Sequence, residues 1–289
     1  MIVTFYGVRG STPAPGLAFA RTGGHTSCVG VARRDGEPPA LVLDAGTGLR
    51  ALAASLGGAP FRGTILLGHL HWDHTQGLPF FFAGDHEGSR VTVLGPRQPD
   101  ESDLGAVLAR MLTPPFFPVT PDELRGDWTF QSIEPGPLVV EGFDVVALEI
   151  PHKGGRTFGY RITDATNATG STGSIAYLSD HMPQAHGPGP DGIGEYHEAA
   201  VGLAAGVDLL IHDAQYTAAE LPTRGHFGHA AAEYAVGLAE RAGVRKLALF
   251  HHDPGRSDDD VDALAAGLSS TSVEILVARE LEAIRTEFR

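Results

Sequence analysis

Residues 69 to 74 read His69-Leu-His71-Trp-Asp73-His74. Three imidazoles and a carboxylate in six residues are hard to explain as packing, because such side chains are seldom buried unless paired. Imidazole nitrogen with carboxylate oxygen is a donor set that suits zinc. In an extended loop His69 and His71 project to one side and can share one ion. Asp73 and His74, beyond a turn, can reach a second ion nearby. A histidine-rich solvated loop is the weaker reading of so dense a cluster. The cluster directly follows a β-rich run, Thr64–Leu67.

Three later strand ends also carry a possible ligand. They are Ile150-Pro151-His152, Tyr177-Leu178-Ser179-Asp180 and Leu249-Phe250-His251-His252-Asp253-Pro254. Any one alone is a weak signal; in this order, with the first cluster, the set resembles the metallo-β-lactamase-fold hydrolases, whose motif is His-x-His-x-Asp-His after a strand. The resemblance runs along the whole chain. It implies an α/β fold, an αββα four-layer sandwich of two mixed β-sheets flanked by helices. It also implies two divalent metal ions. His69, His71 and His152 would hold one, and Asp73, His74 and His251 the other, with Asp180 bridging. Register from the strand end favours His251 over His252. Zinc is the default for these ligands, and manganese or iron also suits an oxygen-rich site. Two such ions roughly 3.5–4 Å apart lower the pKa of a shared water, giving a bridging hydroxide as nucleophile. Asp44, in Leu43-Asp44-Ala45-Gly46-Thr47-Gly48, matches a family position that orients a ligand or loop, although a plain strand-end turn reads nearly as well.

True β-lactamases of the dinuclear type usually carry Cys at the position of Asp180. Here the only cysteine is Cys28, read as a small buried hydrophobe. The aspartate resembles instead the phosphodiesterase and ribonuclease Z branch. Ile211-His212-Asp213-Ala214-Gln215 and Gly225-His226-Phe227-Gly228-His229-Ala230 resemble two further motifs of that branch. By that match His229 is the general acid that protonates the leaving alkoxide, oriented by Asp213; Asp73 joins them in the catalytic set. His212 is expected to pack at its strand end. The segments Tyr6–Pro13 and Thr22–Cys28 resemble the start of proteins near the phosphoribosyl cyclic phosphodiesterases. Lys153 and Arg156 read equally as phosphate contacts or as solvated loop charges. Only 27 residues separate His152 from Asp180, so the long arm by which many ribonuclease Z enzymes hold transfer RNA has no room there. The expected activity is hydrolysis of a small phosphodiester, cyclic ones included. The alternatives are a lactone, β-lactam or thioester hydrolase on the same centre, and a non-catalytic metal-stabilised binding protein.

The elements that must hold these residues read as short β runs alternating with Ala/Leu-rich segments. Expected strands are Ile2–Gly7, Ser27–Ala32, Ala40–Leu43, Thr64–Leu67, Val91–Leu94, Phe143–Ile150, Phe158–Ile162, Ser174–Leu178, Leu209–Ile211, Lys246–Phe250 and Val273–Val277. Expected helices are Leu49–Leu56, Ser102–Leu112, His197–Ala204, His229–Ala242 and Ser257–Leu268. Ser257 is a natural N-cap, and Asp258, Asp259 and Asp260 suit the first turn of a helix dipole. The first half reads as hairpin-like succession, the second as βα alternation. Pocket walls are expected from Leu78–Asp85, Thr113–Pro121 and Pro183–Gly194, with Trp72 and Phe80-Phe81-Phe82 in core or lid packing.

The 289 residues are read as one metallo-hydrolase domain, 1–289. One cysteine excludes an internal disulfide and a thiolate zinc cluster. A net charge of −14 repels phosphate backbones and argues against a long nucleic-acid footprint. The expected partner is a small phosphorylated molecule; a homodimer is common among such relatives. No apolar run approaches the roughly 20 residues that span a bilayer, and the start shows no signal segment, so the expectation is a cytoplasmic protein away from membranes.

Overall fold

A computed structural model describes residues 1–99, 103–164 and 173–286. In chain order the strands are β1 (Ile2–Gly7), β2 (Cys28–Ala32), β3 (Leu41–Leu43), β4 (Arg62–Leu66), β5 (Arg90–Pro96), β6 (Asp127–Ile133) and β7 (Gly136–Val140). They continue with β8 (Phe143–Ile150), β9 (Thr157–Asp164), β10 (Ser174–Leu178), β11 (Leu209–Asp213), β12 (Lys246–Phe250), β13 (Glu274–Val277) and β14 (Ala283–Arg285). They form two seven-stranded sheets, ordered β14-β1-β2-β3-β4-β5-β6 and β13-β12-β11-β10-β9-β8-β7. The helices are α1 (Leu49–Ser55), α2 (Trp72–Thr75), α3 (Leu104–Ala109), α4 (Glu198–Ala204), α5 (Leu221–Arg224), α6 (Ala232–Arg241) and α7 (Asp258–Gly267).

Strand alternation builds the layers, because successive side chains point to opposite faces. In β2 and β3, Val29, Val31, Leu41 and Leu43 enter the core between the sheets, while Cys28 and Val42 face outward toward Leu49 and Leu52 of α1. In β11, Leu209 and Ile211 join the central core, and Leu210 packs outward with Leu203 of α4 and Leu238 of α6. The result is the expected helix–sheet–sheet–helix sandwich. Cys28 is fully buried.

Four expected strands, at β1, β8, β10 and β12, match to the residue. The first-half hairpin pattern holds only for β1-β2-β3; β3, β4, β5 and β6 are parallel, joined by crossovers. β6, β7 and β14 are additional, and each lies at the edge of a sheet. The helix expected over His229–Ala242 starts only at Ala232. The Ala230 N–H donates to Asp213 Oδ2, and Ala231 bridges to Tyr216, which holds residues 229–231 extended. Of the helix expected over Ser102–Leu112, residue 102 lies outside the described residues, and α3 covers a shorter span. At α7, Ser257 and Asp260 form a reciprocal capping box, as the Asp run suggested.

Phe250, the last residue of β12, is fully buried between the sheets, with ring centroids 6.1 Å from Phe5 and 5.7 Å from Tyr177. Phe250→Ala is expected to destabilise the chain by about 3–5 kcal/mol, the usual cost of removing a core Phe. Urea unfolding checks this as a lowered midpoint at an unchanged slope; a loss under about 1 kcal/mol would contradict the central-core assignment.

Candidate metal centre

The topology carries the expected ligands to one place. β10, β11 and β12 are parallel, and β8 points the same way because β9 runs antiparallel to both β8 and β10. His152 after β8, Asp180 after β10, Asp213 at the end of β11 and His251 after β12 therefore emerge along one rim. In the first sheet β3 and β4 are parallel, and β1 shares their direction through β2. Asp44, His69 and the Gly10–Ser11 turn emerge there. His71 caps the short α2, whose single turn presents Asp73 and His74.

The side chains form two sets that share Asp180: His69, His71, His152 and Asp180, and Asp73, His74, Asp180 and His251. Within each set the donor atoms lie within 4.8 Å of one another. Asp180 Oδ2 lies 3.5 Å from both His69 Nε2 and His152 Nε2. Asp180 Oδ1 lies 3.0 Å from His74 Nε2 and 3.1 Å from His251 Nε2. Each oxygen thus faces one set. Asp73 Oδ2 sits 3.2 Å from both His74 Nε2 and His251 Nε2, and His71 Nδ1 is 3.3 Å from His152 Nε2. His252 turns away, its Nε2 donating to the Ala278 carbonyl.

The chemistry of these donors fits cations. His69 Nδ1 and Nε2 and His251 Nδ1 are buried without a hydrogen-bond partner among the described residues, a cost the chain would bear only for some compensating interaction. Burial lowers the pKa of His69 well below its usual value and that of His152 to about 4; both are neutral imidazoles with a free lone pair, the form a metal needs. Burial pushes Asp73 and Asp180 up, but the surrounding histidines outweigh it and keep both ionised. Burial also opposes charge on His74, yet Asp180, Asp73 and Asp44 overcome it; a cation at Nε2 would take the place of that proton.

Surrounding groups fix the orientations. His74 Nδ1 donates to Asp44 Oδ2 at 2.7 Å, Tyr177 donates to the same oxygen at 2.6 Å, and the Gly68 N–H donates to Oδ1 at 2.7 Å. Asp44 is therefore more than a turn residue. His152 Nδ1 donates to the Gly228 carbonyl at 2.8 Å. The Ser11 N–H donates to Asp73 Oδ2 at 2.7 Å. A side chain at Gly10 would collide with the His251 ring, so glycine is required there. Asp44, Ser11 and His251 all hold positive φ, at 61°, 61° and 58°, a conformation costing of order 1 kcal/mol each for non-glycine residues and typical of functional sites. Arg9, fully buried beneath the cluster, donates to the carbonyls of Gly23, Asp253 and Arg256.

His229 stands beside the pair of sets. Its Nδ1 donates to Asp213 Oδ2 at 3.0 Å and lies 3.8 Å from Asp180 Oδ2. Asp213 also accepts from the N–H groups of His181, Gln215 and Ala230. Burial lowers the His229 pKa, but Asp213, followed by Asp180 and Asp73, raises it to about 9. His212, buried at its strand end, donates from Nδ1 to the Asp213 carbonyl. An open pocket of about 400 Å³ lies over the cluster, walled by Ser11, Leu70, His71, Trp72, Asp73, Asp180 and His229. None of the expected wall segments, Leu78–Asp85, Thr113–Pro121 and Pro183–Gly194, lines this pocket. Arg156 is engaged by Glu134 and Glu149, and Lys153 reaches the His226 carbonyl.

Two groups escaped the sequence reading: the Ser11 N–H on Asp73, and Arg9. Both lie in a segment that carried only a family likeness; Asp73 is 62 residues from Ser11, and two of Arg9's three carbonyl partners are 244 and 247 residues away.

Residues 40–252 match the family model described as the β-lactamase superfamily domain. A ribonuclease Z from Exiguobacterium sibiricum is 28% identical over 221 residues, covering 65% of this chain and 70% of that protein. Among solved structures, the metallo-β-lactamase fold protein YhfI from Bacillus subtilis superposes with a TM-score of 0.68 at 20% identity, covering 98% of this chain and 99% of that one. A diphosphatase of the PhnP family superposes with a TM-score of 0.68 at 17% identity, covering 99% and 98%. These two likenesses show a common fold. The matched model runs from just before β3 to the residue after His251, and by that span the chain belongs to the β-lactamase superfamily domain family.

Proposed function

We propose that the chain hydrolyses small phosphodiesters, cyclic ones included, with two divalent ions, zinc by default. The observation that carries this reading is the division of Asp180 between two ligand sets, with a carboxylate-held His229 beside them. His69, His71, His152 and Asp180 would hold one ion, and Asp73, His74, His251 and Asp180 the other. When bound, such ions lower the pKa of a nucleophilic water and stabilise charge developing on phosphoryl oxygens.

The chain's own residues supply the rest. Asp213 fixes His229 with Nδ1–H toward itself, which leaves Nε2 to give a proton to the departing oxygen. The Asp213 carboxylate works against burial and raises the pKa of that imidazole, which favours its protonated form. Asp44 and the Gly228 carbonyl hold His74 and His152 with Nε2 aimed inward. The pocket walls include no Lys or Arg, so attraction for a phosphate must come from cations in the two sets. Its modest volume and the net charge of −14 favour a small substrate over a long nucleic acid. The ribonuclease Z relatives act on RNA by their name, but here 13 of the 27 residues between His152 and Asp180 form β9 and β10, paired antiparallel, with 165–172 outside the described residues.

Zinc- or manganese-loaded protein is expected to release nitrophenolate from bis(p-nitrophenyl) phosphate, and His69→Ala to abolish that release. Lactone or β-lactam turnover with none on any phosphodiester would overturn the substrate class. His229→Ala is expected to cost about 10²–10⁴-fold on a diester with an alkyl leaving group, because proton donation matters most there, and far less on a nitrophenyl ester. The alkyl-ester rate of the unaltered enzyme should fall as pH rises through the His229 pKa, and His229→Ala should lack that alkaline limb. Equal losses on both esters would remove His229 from the proton-donor position.

A further inference from the structure

Trp72 belongs to two hollows. It walls the pocket over the metal-ligand cluster and also a groove of about 670 Å³. Beyond Trp72 that groove is lined by Phe80, Met111, Leu112, Phe116 and Phe117 among others. Phe80 and Phe117 meet edge to face at 5.7 Å and make one wall. Trp72, Phe80 and Phe116 remain 72%, 46% and 81% exposed. Three large apolar side chains held in water along one continuous groove are the mark of a binding surface rather than of core packing. The groove is mechanically tied to the cluster, since Thr75, next to His74, donates to Met111 Sδ at 3.7 Å.

We infer that this groove holds a hydrocarbon arm of the substrate, so that the preferred phosphodiester carries one long alkyl ester. The inference rests on the phosphodiesterase reading above. The groove shares Trp72 with the reaction pocket as a common wall, so a diester with phosphorus at the cluster has one arm beside it. Eight of the ten lining residues are apolar, with Gln76 and Arg110 the polar exceptions, and a flexible Met111 suits a chain without fixed shape.

The test is a series of p-nitrophenyl alkyl phosphates from methyl to octyl, hydrolysed by the metal-loaded protein. Water adds at phosphorus, the P–O bond to nitrophenol breaks, nitrophenolate departs and the alkyl phosphate monoester remains. The expected result is a kcat/KM that rises by up to about fourfold per added methylene, the change that full burial of one CH₂ brings. Phe116→Ala, at an exposed position that leaves the core intact, should flatten that slope. A methyl ester hydrolysed as well as the octyl ester overturns the groove assignment and leaves the phosphodiesterase reading standing. No hydrolysis of any member overturns both. A Phe116→Ala variant that keeps the slope but converts a dimer to a monomer on size exclusion overturns the assignment too, because the groove then seats a second copy.

Discussion

Asp180 is a buried carboxylate ringed by His69, His74, His152 and His251, and the rest of the site depends on it. A lone ionised carboxylate in a dry interior is costly, and so is a set of buried imidazoles without partners. Together they compensate one another, because the histidines lower the carboxyl pKa and the carboxylate supplies the negative charge that a cation needs. The same arrangement explains why both oxygens are used. One set alone would leave the second oxygen without a partner of opposite charge.

Holding those groups in place costs backbone strain, and the strain is offset by contacts from distant parts of the chain. Asp44 and His251, both at positive φ, are the residues through which β3 and β12 deliver their ends to the cluster. Asp44 is clamped by Tyr177 from the opposite sheet, a hydrogen bond that ties the two sheets together directly above the core. Arg9 clamps the loop after His251 through two carbonyls, and Asp258 lies 3.7 Å from its guanidinium. The fold therefore spends polar contacts beneath the site and leaves the surface above it to Trp72 and the apolar groove.

Much of this was legible because ligands in this fold sit in short motifs at strand ends. His69 to His74 announces itself locally, and His152, Asp180 and His251 follow strong β runs. Strand β12 was readable because Leu247, Ala248, Leu249 and Phe250 form a buried apolar run, and β8 because Phe143, Val145 and Ala147 recur on its buried face. The strands that escaped, β6, β7 and β14, are all edge strands with alternating exposure, whose mixed polarity resembles loop. The hidden parts of the site are those in which a backbone group does the work, as at Ser11, or in which the partner lies far off in sequence, as with Tyr177 on Asp44 or Arg9 on Arg256. The parallel order of β3 to β6 was equally hidden, since pairing direction depends on crossovers rather than on strand composition.

The central claim is that one aspartate joins two cation sites. Metal analysis by mass spectrometry of zinc-reconstituted, gel-filtered protein tests it most directly, with Asp180→Ala beside the unaltered chain and circular dichroism to confirm that both are folded. The account predicts two zinc ions per chain in the unaltered protein and at most one in Asp180→Ala. A single ion per chain in both proteins, or two retained without the aspartate, would contradict it.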